Sequence, residues 1–202
     1  NRYEDLVIID GILDFKKQIK YCNINYGFGF KKQYVNSTAN LRSDENEIQS
    51  NTTRYPDGGS EIFDGSAYAQ IKWDLLKKTT LLFGERYNFN SLSAIFNDTS
   101  IYVLPFSKIE TKNRALVSSC LIKHVFDKKF STTLSYYMGF RNPNIDDVGK
   151  IFSKNDYAVV IPNGNLKPEK SHNLECSLLY KTNKITLEVQ VFNTQIKDAI
   201  QR

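Results

Sequence analysis

The sequence predicts an all-β fold, in which about eight long strands form an antiparallel meander. The first observation is a strict alternation of side-chain polarity between residues 22 and 31. One parity is apolar and the other is polar or small, as in Cys22, Ile24, Tyr26, Phe28 and Phe30 against Asn23, Asn25, Gly27, Gly29 and Lys31. Because successive side chains of a strand point to opposite faces, this pattern gives a sheet with one apolar and one polar face. The second observation is that short polar turns alternate with long loops along the chain.

Each strand is assigned from local alternation or from the connections that flank it. Apolar residues recur at every second position in four further runs, which are Ala67–Trp73, Leu134–Phe140, Leu174–Tyr180 and Leu187–Val191. The remaining strands fill the intervals between predicted connections. In chain order, the predicted strands are residues 4–15, 20–35, 64–75, 79–88, 111–124, 129–141, 169–180 and 185–199.

The predicted connections differ in length on the two ends of the sheet. Short turns are expected near Lys16–Gln18, Leu76–Lys78, Asp127–Lys129 and Lys181–Lys184, and long loops over roughly residues 37–63, 88–111 and 142–168. This arrangement is typical of outer-membrane β-barrels. Aromatic residues are expected at both membrane interfaces, with Phe15, Trp73 and Phe130 beside the short turns and Tyr34, Tyr87 and Phe140 toward the long loops. Three such long loops count against a soluble β-sandwich, in which loops of more than about 12–15 residues are uncommon.

Composition alone does not exclude a soluble protein. The chain is 41% hydrophobic and 24% charged, with a net charge of +5. No apolar run approaches the roughly 18 residues that a transmembrane helix needs, so a membrane role requires a barrel. The three cysteines, Cys22, Cys120 and Cys176, are widely spaced and are interpreted as small hydrophobic residues rather than a disulfide or metal framework.

No motif indicates an enzyme, a metal site or a nucleic-acid interface. The two histidines, His124 and His172, have no nucleophile at a recognisable spacing, so we expect no catalytic residue and no cofactor. Asn142, Asn144 and Asp146 imitate a calcium loop, but Asp147 stands where that loop needs glycine, and no metal site is predicted. The lysines occur in pairs at predicted turns, which is typical of solvated turns rather than of a surface that binds nucleic acid.

Several local motifs carry a family resemblance. They are residues 140–143 (FRNP), 163–166 (NGNL), 53–60 (TRYPDGGS), 83–88 (FGERYN) and 192–200 (FNTQIKDAI). In order and spacing this set resembles TonB-dependent outer-membrane receptors of the siderophore, haemoglobin and transferrin branch. The resemblance implies that residues 1–202 are part of a 22-stranded barrel domain, with the plug domain and the terminal strands missing from the chain.

The resemblance also implies a function. External loops would capture a scarce, large solute, and TonB would drive its import through a plug segment that is absent from this chain. The expected partners are therefore TonB, outer-membrane lipid and an iron chelate, and the expected location is the bacterial outer membrane. An iron–siderophore complex is the leading solute, because no histidine lies between the FRNP and NGNL motifs to ligate haem iron. A passive porin and a soluble carbohydrate-binding β-sandwich remain as alternatives.

Candidate contacts to the solute are chosen by their position in the long loops. They are Arg54, Tyr55, Asp57, Arg141, Asn144, Asp146, Asp147 and Tyr157. Arg141 is also expected to pair with Glu169, because both share the polar parity at facing ends of consecutive strands. A guanidinium can hold a carboxylate through two parallel hydrogen bonds, so this pair would fix the stems of the loop. In the barrel, Ile24 and Phe28 should face away from the axis and should be exposed in the absence of lipid.

Overall fold

The computed structural model describes residues 2–42, 48–50, 53, 55–97, 104–149, 152–155, 158–160 and 162–200. Eight long strands dominate it: β1 (Arg2–Ile19), β2 (Cys22–Arg42), β4 (Ser60–Leu76), β5 (Thr79–Ile95), β6 (Lys108–Val125), β7 (Phe130–Arg141), β10 (Glu169–Lys181) and β11 (Thr186–Lys197). The shorter elements are β3 (Ile48–Ser50), α1 (Ile145–Val148), β8 (Phe152–Asn155) and β9 (Ala158–Val160).

The long strands form one antiparallel sheet in the order β1-β2-β4-β5-β6-β7-β10-β11. Each long strand lies beside the next long strand of the sequence, β3 pairs with the outer end of β2, and β8 and β9 form a separate hairpin. The predicted meander of eight strands is confirmed. A β-sandwich would need a second packed sheet, and the only other sheet among the described residues is the small hairpin.

Several strands extend further than the alternation predicts. β2 continues to Arg42, β5 continues to Ile95, and β6 already begins at Lys108. These extensions lie in segments that were predicted as loops, because their side chains lack a clear apolar parity. Backbone pairing with neighbouring strands maintains them, as between Ala94 and Ile109.

The first short turn was predicted at the wrong place. Lys16–Gln18 lies inside β1, where Lys16 pairs with Asn25, and the turn falls instead at Lys20 and Tyr21. Lys20 adopts a φ of 25°, which suits a tight reversal. The polar cluster that indicated a turn is therefore the end of a strand, and Phe15 stacks on Tyr26 at 5.2 Å rather than lying beside the turn.

Because directly paired residues share a face, the register assigns each side chain to one of two faces, and these differ in polarity along β2. In β1 and β11, the outermost strands of the described sheet, apolar side chains such as Ile12 and Phe192 also lie on the face of Gly27. We call the polar face the one that carries Gly27 and its cross-strand neighbours Asp14 and Tyr68, and the apolar face the opposite one. Phe28 lies on the apolar face and is 57% exposed. The predicted alternation and the predicted exposure of Phe28 are confirmed, whereas Ile24, which lies on the same face between Lys17 and Ile71, is only partly exposed.

The buried core is small and lies on the polar face, near the end of the sheet that carries the long connections. Its side chains come from strands β4 to β6 and from the connections, and are Ile62, Leu92, Ala94, Phe96, Ile109, Ile145 and Val148. Tyr55, Leu104, Phe106 and Leu166 pack around this set, which we call the loop cluster. The long connections therefore fold back over the polar face at this end.

Two further observations bear on the class of protein. None of the described segments forms a helix that is long and apolar enough to cross a membrane. All three cysteines are free. They lie on the apolar face, as Cys22 does opposite Trp73, in agreement with their interpretation as small hydrophobic residues.

Candidate functional site

Six of the eight predicted solute contacts lie within the described residues, and Arg54 and Tyr157 lie outside them. Tyr55 and Asp57 belong to the connection before β4, Arg141 is the last residue of β7, and Asn144, Asp146 and Asp147 follow in the next connection. Both connections contact the loop cluster, so the structure brings the six to the same end of the sheet.

Arg141 ends β7 and joins two carboxylates. Its Nε donates to Glu169 Oε2 at 2.7 Å, and its Nη1 donates to Asp147 Oδ2 at 2.8 Å. The contact predicted between Arg141 and Glu169 is present, but the two parallel bonds are not. The guanidinium divides its donors because the turn after β7 brings a second carboxylate within reach. The other oxygen of Glu169 accepts from the backbone N–H of Ile200 at 2.5 Å.

Asn144 and Asp147 cap the short helix α1. Asn144 Oδ1 accepts from the Asp147 N–H at 3.0 Å, and Asp147 Oδ2 accepts from the Asn144 N–H at 3.1 Å. This reciprocal arrangement is a capping box, which satisfies the orphan donors of a helix start. The side chain of Asp147 has no solvent exposure. Both residues therefore hold Ile145 and Val148 in the loop cluster.

Tyr55 and Asp57 serve the preceding connection in a similar way. Tyr55 packs against the loop cluster, and Asp57 Oδ1 accepts from the Asn97 N–H at 2.9 Å. Asp146 is half-buried between the two capping residues. The predicted contacts that the structure describes therefore serve mainly to hold the two connections in position.

A cavity on the polar face was missed by the sequence reasoning. It has a volume of about 510 Å³ and lies along β1, β2, β4 and β5, farther from the long connections than the loop cluster. Its polar lining consists of Asp10, Lys31, Asp64, Ser66, Tyr68, Arg86, Asn88 and Asn142. Of the two glycines that the alternation had placed on the polar parity, Gly29 lines the cavity, whereas the Tyr68 ring covers Gly27. A glycine such as Gly29 inside a strand is the signal that could have indicated open space there.

Arg86 is the most constrained side chain of this lining. Its Nε donates to Asn88 Oδ1 at 2.9 Å, and its Nη2 donates to Ser66 Oγ at 3.1 Å. The guanidinium lies 5.7 Å from the ring centre of Tyr68, whose hydroxyl donates to Asp14. These contacts fix the direction of the Arg86 charge, so the lining is built before any solute arrives.

Asp64 is held from the neighbouring strand. Asn90 Nδ2 donates to Asp64 Oδ1 at 2.8 Å, and Asn90 is only 2% exposed. A carboxylate held by a buried amide keeps its orientation toward the cavity. Within the described part of the chain, no group of three or more His, Cys, Asp or Glu side chains could hold a metal ion.

Comparison with known proteins gives one family and a set of similar structures. The family model described as TonB dependent receptor-like, beta-barrel matches residues 2–202. The copper transporter OprC superposes with a TM-score of 0.80 at 11% identity, covering 98% of this chain and 31% of that one. The siderophore receptor PiuA from Acinetobacter baumannii gives 0.70 at 13% identity, with 95% and 32% coverage.

A third similar structure is the FrpB iron transporter from Neisseria meningitidis, with a TM-score of 0.66 at 15% identity. The superposition covers 97% of this chain and 29% of FrpB. The chain therefore spans about a third of the length of these proteins. At such identities the likeness concerns the fold. A comparison with curated protein sequences finds no match.

Proposed function

Because the chain belongs to the TonB-dependent receptor β-barrel family, we propose that residues 1–202 form part of the barrel wall of an outer-membrane receptor. The receptor imports a scarce, large solute with energy delivered by TonB. An iron–siderophore complex is the leading solute. TonB acts through a plug domain outside residues 1–202, and the barrel contributes binding and shape rather than covalent chemistry.

One observation carries this proposal: the two faces of the sheet present different surfaces. The apolar face presents large side chains to the outside, with Phe28 57% exposed and Leu116 59% exposed, as a lipid-facing surface requires. The polar face carries a lined cavity and, toward one end, folded connections. A solute that enters past the connections meets a polar wall, while lipid contacts the other face.

The names of similar structures support a metal chelate as the solute class. PiuA is described as a siderophore receptor and FrpB as an iron transporter. OprC is described as a copper transporter, so copper is the next solute to test. We favour iron because the described residues that line the polar-face cavity include no imidazole or thiol, but do supply oxygen and nitrogen groups suited to a chelate's periphery.

The proposal is tested by uptake in a bacterium that has the intact receptor as its only route for iron chelates. Radiolabelled iron, supplied as a set of siderophore complexes, should accumulate in these cells. Accumulation should stop when TonB is deleted or when a protonophore abolishes the proton gradient. Uptake that continues without TonB would indicate the passive porin instead. Accumulation of copper but of no iron chelate would replace iron as the solute.

A further inference from the structure

Gly29 lines the polar-face cavity and places no side chain in it. Gly29 lies between Ile12 and Ser66 on the neighbouring strands, and a Cβ atom at this position would lie 3.1 Å from Ser66 Oγ. A larger side chain would project into the cavity that Gly29 lines. Cavities of this size, about 510 Å³, lie within the range that holds a drug-sized ligand.

The charges around the cavity are balanced. Lys31 stands between Asp10 and Asp64, its direct cross-strand neighbours, and Arg86 lies on the other side of the glycine. Two carboxylates and two cations thus line the same space. Asp14 adds a further carboxylate next to it through its bond to Tyr68. Such a lining produces no net positive potential, which a polyanionic solute would need.

The lining also offers directional hydrogen bonds. Asn88 is only 7% exposed, and its Oδ1 orients Arg86. Asn142 borders the cavity from the end of β7 and adds a carboxamide to its lining. Ser66 and Tyr68 contribute hydroxyl groups, which bond to Arg86 and Asp14 and therefore stand in fixed positions.

We propose that this cavity is a solute subsite of the barrel wall that selects an uncharged, amide- and hydroxyl-bearing chelate over a polyanionic one. A ferric tris-hydroxamate is uncharged and carries amide donors and acceptors on its periphery. A ferric tris-catecholate is trianionic and would find no net positive charge among Asp10, Lys31, Asp64 and Arg86 to offset its own. This inference rests on the proposed function and names the class of chelate that the same receptor takes.

The test uses the intact receptor in detergent and two hexadentate ferric complexes, a tris-hydroxamate and a tris-catecholate. Equilibrium binding of radiolabelled iron gives the two dissociation constants. We expect the hydroxamate complex to bind at least about tenfold more tightly, which corresponds to one or two well-placed polar contacts. Its binding should change little between low and high salt, because no net charge is neutralised.

Two variants and a control locate the effect. Gly29→Leu fills the cavity and should weaken hydroxamate binding about tenfold or more. Ala67→Leu places the same side chain on the apolar face, between Phe28 and Tyr87, and should leave binding unchanged. Asp10→Lys makes the lining positive and should shift preference toward the catecholate. Heat-modifiable migration on a gel shows whether the Gly29→Leu receptor folds. If it does not, the Asp10→Lys variant still tests the site.

The outcomes separate this inference from the proposed function. Tighter binding of the catecholate, or equal binding by the Gly29→Leu and Ala67→Leu variants, overturns the subsite while TonB-dependent iron uptake persists. Absence of binding and uptake for both chelates overturns the receptor function itself, and the subsite with it.

Discussion

Arg141 and Glu169 face each other at the ends of β7 and β10, and the arginine Nε lies 2.7 Å from a glutamate oxygen. The same guanidinium reaches Asp147, which belongs to the capping box of α1. Glu169 in turn accepts from the N–H of Ile200, beyond the end of β11. This relay connects the start of the long connection, its short helix and the outer end of the last strand.

Removal of Arg141 should loosen the connection more than its exposed salt bridge suggests. The Arg141 side chain is 44% exposed, so its bond to Glu169 contributes only about 0–1 kcal/mol. Asp147, however, has no solvent exposure, and losing its cation would cost about 1–3 kcal/mol locally. Arg141→Ala should therefore speed amide hydrogen exchange at Val148 and Gly149, whose N–H groups bond to Asn144 and Ile145.

A matched control for Arg141 is Lys108→Ala. Lys108 pairs with Glu110 in an exposed position near one end of β6, and both residues lie on the apolar face, opposite the loop cluster. Exchange at Val148 and Gly149 should be unchanged in this variant. If both substitutions accelerate exchange equally, or neither does, Arg141 does not hold the connection.

The stability of the folded receptor should be more sensitive to side-chain truncation in the loop cluster than on the apolar face of the sheet. Leu92 is 1% exposed, and Leu92→Ala should lower the stability of the folded receptor by about 2–5 kcal/mol. Leu116 is 59% exposed on the apolar face, so Leu116→Ala should have a much smaller effect. Thermal unfolding in detergent measures both. Equal destabilisation would show that the cluster is not a tightly packed core.

The stability of the turn between β6 and β7 should depend on pH through the Asp127 carboxyl. Its Oδ1 accepts from the N–H groups of Lys129 at 2.7 Å and Phe130 at 2.9 Å, and these bonds lower the pKa of the Asp127 carboxyl below its usual value. Because the folded-state pKa is depressed, the stabilisation is present above the unfolded-state pKa. It is lost as the pH falls through the folded-state pKa.

Asp127→Asn tests this pH dependence. At neutral pH the N–H groups of Lys129 and Phe130 should exchange faster in the variant than in the native protein. The difference should shrink as the pH is lowered into the acid range. Asp198→Asn, in a distant segment after β11, should leave both amides unaffected at every pH. A difference that persists unchanged at acid pH would show that the carboxylate charge is not the cause.

Prediction from sequence succeeded where a run of residues has one apolar parity. Residues 22–31 have it, so the division of their side chains between two faces was predicted correctly, although their pairing with individual residues of β1 and β4 was not predicted. It failed where charge alone was used, as at Lys16–Gln18, because lysine near a strand end resembles lysine in a turn. The outer ends of β2 and β5 were missed since pairing across strands, rather than local polarity, maintains them.

For the candidate site too, the sequence predicted a feature that depends on local pattern and missed one that depends on several strands. The contact between Arg141 and Glu169 followed from parity, which is a local property. The cavity did not, because it needs the register of four strands to bring Asp10, Lys31, Asp64 and Arg86 around Gly29. Asn144 and Asp147 were predicted as solute contacts from their place in a long loop, and the structure shows that they also form the capping box of α1. The spacing of an asparagine and an aspartate three residues apart could have indicated this capping box.

The two faces of β2 predict opposite responses to quenchers. Fluorophores attached at Phe28→Cys and at Asn25→Cys, in receptors whose native cysteines are replaced by serine, should report lipid and water respectively. A lipid-soluble quencher should act mainly on position 28, which is 57% exposed on the apolar face. An aqueous quencher should act mainly on position 25, which shares the polar face with Gln70. The reverse result would place the apolar face inside the barrel.

The last prediction concerns haem. We expect the connection between β7 and β10 not to bind it, because the sequence between Pro143 and Asn163 contains no histidine. The nearest histidine along the chain, His172, lies on the apolar face, where its Nδ1 is 2.9 Å from the Tyr136 hydroxyl. It is thus directed away from the polar-face cavity. Hemin titrated into the intact receptor should give no Soret shift that depends on residues 142–166. A shift that disappears when Tyr157 is replaced by Phe would show that a phenolate of this connection ligates the iron, and the preference for a non-haem chelate would then be wrong.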